Sequence, residues 1–164
     1  AHYVDGALNK TLHASVALEE GVGLLLCVNP IVPVDTRAGE ERGELPPDAI
    51  LHHGLPAVLS QTFRTLVHSR LEVGLASYVG RYPDADVVLF EPAPDAYEMF
   101  FSNLFSLDAR REVCAFAYRS TREDLRRRAA ELEPVFARHG VQLRWDVLDD
   151  ETRDAWDGVV ARSA

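Results

Sequence analysis

The run GLLLCVNPIV, which begins at Gly23, constrains the fold more than any other part of the chain. It has no polar alternation and is bounded by Gly23 and Pro30. That is the pattern of a strand buried on both faces of a parallel sheet, and a buried helix shares it. The preceding residues decide the reading. HYVD, at residues 2–5, is short and β-rich. In LNKTLHASVALEEG, Leu8, Leu12, Ser15, Val16 and Glu19 recur at helical spacing, with Leu12, Val16 and Ala17 on the apolar side and Gly21 as a C-terminal stop. Strand, helix and buried strand in that order predict a βαβ unit and an α/β fold with a mainly parallel sheet.

The rest of the chain extends this plan. ADVVLFEP reads as a second buried strand, stopped by Pro92 and Pro94. Before it, Leu55, Val58, Leu59, Phe63, Leu66, Val67 and Leu71 form a helical stripe opposed by Gln61, Arg64, Thr65, His68 and Glu72. Residues 33–54, rich in charge, Pro and Gly, read as a surface loop or a lid. From residue 95 the chain reads as a helical extension of three helices and an acidic tail. Ser106 or Asp108 caps the second helix. The third opens on a Ser120–Glu123 capping box, is kinked by Pro134 and stops at Gly140. With 164 residues, 47% of them hydrophobic, the chain is sized for one domain or most of one. It starts at Ala1 and is read as a processed or truncated piece.

A net charge of −9, with Lys10 the only lysine, argues against nucleic acid, whose binding depends on clustered cations neutralising phosphates. The five arginines from Arg119 to Arg128 are interleaved with Glu123 and Asp124 and read as a solvated helix face. Cys27 and Cys114 sit in apolar contexts as buried thiols, which favours a reducing, cytoplasmic setting. No apolar run is long enough to span a bilayer. EMFFSNLF reads as a core helix, and its alternative use is transient, peripheral contact with acyl chains or a membrane interface. His2, His13, His52, His53, His68 and His139 lack zinc-site spacing, so no metal ligand is assigned.

The chemistry concentrates in VDGA, residues 4–7. Alone, Asp-Gly is a turn signal, because glycine supplies positive φ and aspartate bonds its own backbone. Here the aspartate ends an expected strand ahead of a helix, and the carboxyl ends of strands are where α/β sheets gather ligands and catalytic groups. The stretch YVDGALNKTLHASVALEEGVGLLLCVNP resembles the second catalytic segment of patatin-like phospholipases. LSQTFRTLVHSR and DVVLFEP resemble later parts of a bacterial branch of that family by general pattern. The resemblance implies a three-layer α/β fold, of which this chain is the C-terminal portion. It also implies a Ser-Asp dyad hydrolysing phospholipids or other fatty-acyl esters, with no cofactor. Asp5 is then the base that activates the serine, and Gly6 and Ala7 shape its turn.

Two departures from the family pattern matter. After the small pair the chain reads Asn9, Lys10, Thr11, where many members have Asn-Pro, which touches substrate preference more than catalysis. There is also no Gly-x-Ser-x-Gly elbow: GLASYVG spaces Gly74 and Ser77 wrongly and lies on an amphipathic helix. The serine is therefore expected on an N-terminal segment of the same gene product or on a second chain, and this chain alone is expected to be inactive. The alternative is a non-catalytic interaction or regulatory module on the same scaffold.

Overall fold

The apolar run at Gly23 does form a strand. β1 (Leu24–Val28) pairs in parallel with β2 (Asp86–Phe90), in the register Leu24 with Asp86 through Val28 with Phe90. The computed structural model describes residues 12–101 and 106–157, so HYVD and the VDGA motif lie outside the described residues. The chain divides into two compact units, Ala1–Tyr97 and Glu98–Ala164. Mixed helix with a small parallel sheet is the α/β class expected.

In the first unit, α1 (Ala14–Glu19) precedes β1. It starts later than the spacing suggests, because Leu12 has φ of 53°, a left-handed conformation that a helix cannot pass through. Ala14, Ser15 and Leu18 face inward while Val16 is exposed, so the buried stripe is rotated from the expected Leu12–Val16–Ala17 side. Gly21, at φ 81°, ends the helix as read.

Ala14 and Leu18 pack with Cys27 of β1 and Tyr78 of the long helix α4 (Gly54–Arg81). Leu25, Val87 and Leu89 join them on one side of the strand pair. The other side is only partly covered: Val88 is buried, whereas Leu26 and Val28 are exposed, Val28 by 68%. Burial of β1 on both faces is thus not what the described residues show. Burial in the apolar cluster also pushes the Cys27 thiol above its ordinary pKa.

Residues 33–54 carry two short helices, α2 (Arg37–Glu41) and α3 (Ala49–His52). They are tied by one side chain. The Glu40 carboxylate accepts from Thr36 Oγ1 at 2.7 Å and from the Ala49 amide at 3.2 Å, and these bonds hold its pKa below the ordinary value. Ala49 is fully buried. A Cβ at Gly39 would stand 2.9 Å from the Tyr97 ring, so any larger residue there would force that ring to shift.

The second unit is helical. α5 (Tyr97–Phe101) lies at the boundary, followed by α6 (Leu107–Arg127), α7 (Ala129–Arg138) and α8 (Trp145–Leu148). Ser106 caps α6 by accepting from the Ala109 amide. The expected capping box at Ser120 does not form, because α6 runs straight through it. The break falls instead at Arg128, ahead of Pro134, whose ring nitrogen can donate nothing back along α7. Gly140, at φ 70°, closes α7 as expected, with the Val141 amide donating to Phe136 O. Cys114 on α6 is exposed, against its reading as a buried thiol.

Candidate functional site at the carboxyl ends of the strands

Parallel pairing brings the carboxyl ends of β1 and β2 side by side, and the next residue of each strand is polar. Asn29 follows β1 and Glu91 follows β2. The Asn29 amide extends the ladder by donating to Phe90 O at 2.9 Å. Its side chain is 6% exposed and fully used. Oδ1 accepts from the Ile31 amide at 3.1 Å, while Nδ2 donates to Ile31 O at 3.3 Å and to Glu91 Oε1 at 2.7 Å. The first two bonds close an Asx turn that redirects the chain at Pro30. The third fixes the Glu91 carboxylate across the strand ends.

α4 supplies the third member. His68 Nδ1 lies 3.3 Å from the same Glu91 oxygen, and Nε2 lies 3.6 Å from Glu72 Oε1 one turn along the helix. Nδ1 is closed off from solvent and makes no aligned hydrogen bond. The imidazole thus stands between two carboxylates, one of them oriented by the Asn29 side-chain amide. Sequence spacing placed His68 among ordinary helix histidines. The missing signal was that Glu91, 23 positions away, ends the neighbouring strand.

The same side of α4 holds the segment that leaves β1. Gln61 exchanges two bonds with the Val34 backbone, accepting from its amide at 3.0 Å and donating to its carbonyl at 2.8 Å. Arg64 donates to Val32 O at 3.3 Å, and burial lowers the pKa of its guanidinium. Residues 30–34 contain two prolines and no ladder, so their backbone groups need side-chain partners. This demand turns Gln61 and Arg64 of α4 toward that segment. Val67, Leu71 and Tyr78 are buried, but Leu55, Leu59, Phe63 and Leu66 are exposed, Leu55 by 68%. The upper half of the predicted apolar stripe therefore faces away from the core.

Comparison with known proteins adds nothing to this geometry. No family model, no curated protein and no solved structure matches the chain.

Asp5, Gly6 and Ala7, the residues singled out in the sequence, lie outside the described residues. Ser77 is no nucleophile elbow, since it sits inside α4 and donates to Gly74 O at 2.6 Å. Among the described residues no group of His, Cys, Asp and Glu is arranged to hold a metal ion. Nor is any described helix long and apolar enough to cross a membrane.

Proposed function

We propose that this chain is the C-terminal part of a patatin-like lipid acyl hydrolase. In this reading Asp5 is the base of a Ser-Asp dyad, Gly6 and Ala7 form its turn, and the substrate is a phospholipid or another fatty-acyl ester. The serine comes from an upstream segment of the same gene product or from a second chain. The enzyme works in the cytoplasm, with peripheral contact at a membrane. The observation that carries the reading is the polar edge at Asn29 and Glu91, reached by a parallel pair with α1 leading into β1. A strand ending at Asp5 would add its carboxylate to that edge, at the position where α/β sheets collect catalytic groups. Serine acyl transfer needs a base within hydrogen-bond reach of the nucleophile and backbone N–H groups for the oxyanion, and the upstream segment would bring both the serine and those donors.

The test uses the protein that includes the upstream segment. A fluorophosphonate should label one serine, and Asp5→Asn should abolish labelling and ester hydrolysis while leaving the circular dichroism spectrum unchanged. Wild-type turnover in Asp5→Asn would overturn the assignment. Complete absence of labelling in the wild type would favour the non-catalytic module.

A further inference from the structure

The second unit contains a pocket that the acyl-hydrolase reading does not use. It has a volume of about 260 Å³ and is lined by Arg119, Arg122, Glu123, Arg126, Glu151 and Arg153. That is several times the roughly 30 Å³ occupied by one water. Arg119, Arg122 and Arg126 recur along one face of α6, and Arg153 comes from the segment after α8.

The floor of the pocket is electrostatically unusual. Arg122 is only 9% exposed. Its guanidinium donates to four carbonyls, those of Val147 at 3.0 Å, Leu148 at 2.5 Å, Asp150 at 2.7 Å and Arg153 at 3.2 Å. It also lies 5.6 Å from the centre of the Tyr118 ring. Carbonyls accept from its terminal N–H groups but carry no countercharge, and among the described residues no carboxylate forms an ion pair with it. The Asp150 carboxyl, held below its ordinary pKa by its bonds to Thr152 and in part by the charges of Arg122 and Arg153, is the anion that feels it. Its Nε is buried and has no hydrogen-bond partner. A buried cation whose hydrogen bonds all go to neutral carbonyls is costly, and the low-dielectric surroundings extend its field into the adjoining cavity. Arg126 does have a carboxylate, with Nε 3.3 Å from Asp149 Oδ1. Arg119 and Arg153 are exposed and make no side-chain bond among the described residues, so both remain available at the rim. Glu123 and Glu151 at the rim are exposed, and neither forms an ion pair with Arg122.

We propose that this pocket binds a phosphate group, carried by a small soluble ester or by a lipid headgroup. Arg119 and Arg153 would close on the phosphate oxygens, since planar guanidinium forks match phosphate geometry, while the fixed charge of Arg122 attracts it from below. The overall charge of −9 sharpens the point, because non-specific attraction of anions by the molecule as a whole is disfavoured. The proposal stands independently of the acyl-hydrolase reading.

The experiment titrates the full chain with inorganic phosphate at constant ionic strength, following the arginine Nε–H resonances. Saturable shifts are expected, with affinity at least tenfold weaker in the Arg119→Gln/Arg153→Gln double variant. Because those side chains make no internal bonds, the variant should unfold at the wild-type urea midpoint, which separates lost binding from lost fold. Glycerol 3-phosphate and phosphatidic-acid vesicles form the other arms. Tighter binding of the soluble ester supports the site and assigns it to small esters, whereas vesicle retention lost in the double variant supports it and assigns a headgroup. Shifts reproduced by chloride, or unchanged affinity in the double variant, would overturn the proposal.

Discussion

Replacing Arg122 with methionine tests whether one guanidinium holds α8 and the acidic segment after it onto α6. Methionine keeps much of the aliphatic stem and its packing while removing all the donors. Four carbonyls lose a bond. Leu148 O, the most enclosed, still accepts from Arg126, so it is not orphaned. The carbonyls of Val147, Asp150 and Arg153 are partly accessible and can turn to water, which limits the cost to about 1 kcal/mol each and about 3 kcal/mol in total. The opposing effect is that methionine escapes the desolvation penalty of a buried cation, which can outweigh the bonds it makes. Both tryptophans, Trp145 and Trp156, lie in the Glu98–Ala164 unit, so their fluorescence reports on that unit selectively. With a urea slope near about 1 kcal/mol/M for so small a unit, the midpoint should fall by about 3 M, or the folded baseline should disappear. Arg122→Lys should recover little, because a single ammonium cannot span four acceptors. An unchanged or raised midpoint in Arg122→Met would refute the reasoning and show that desolvation dominates.

Two further outcomes follow from the first unit. Gln61→Leu removes both bonds to Val34 and should destabilise the unit by about 2 kcal/mol, with faster amide exchange at Val34 than at Leu71; uniform protection would contradict the clamp. The Asp35 carboxyl accepts from Arg37 Nε, from its terminal nitrogen at 2.5 Å and from its backbone amide, and these bonds lower its pKa to about 2. Since the folded value lies below the unfolded one of about 4, the stabilisation is complete above pH 4 and is lost as the pH falls toward 2. Carbon-detected titration should place the Asp35 midpoint near 2 and raise it most of the way toward the ordinary value in Arg37→Ala, where only the backbone amide bond remains; a normal wild-type midpoint would dismiss the pair.

What was legible in the sequence was whatever rests on near neighbours along the chain. The apolar run at Gly23 and its partner at Val87 became strands because β-branched and leucine runs between turn residues have few other uses. Gly21, Ser106 and Gly140 ended or began helices where local chemistry requires it. Contacts distant in sequence were not legible. The long helix α4 displays an apolar stripe and a polar one, and the usual inference buries the apolar side. Here the chain leaving β1 is rich in proline and cannot satisfy its own backbone, so Gln61 and Arg64 turn inward and Leu55, Leu59 and Leu66 turn out. The same holds for the arginines of α6. Interleaved with acids they look like a solvated face, yet Arg122 is drawn inside because α8 is only four residues long and leaves nearly all its carbonyls without helical partners. In both units a polar side chain was recruited to finish a backbone that secondary structure left incomplete. The carboxyl-end cluster obeys the same logic. Asn29 is there to close a turn, and its remaining N–H then aims Glu91 at His68. A structural obligation at the end of one strand thus positions a carboxylate against an imidazole at the end of the next, on the edge where catalytic groups of parallel sheets are found.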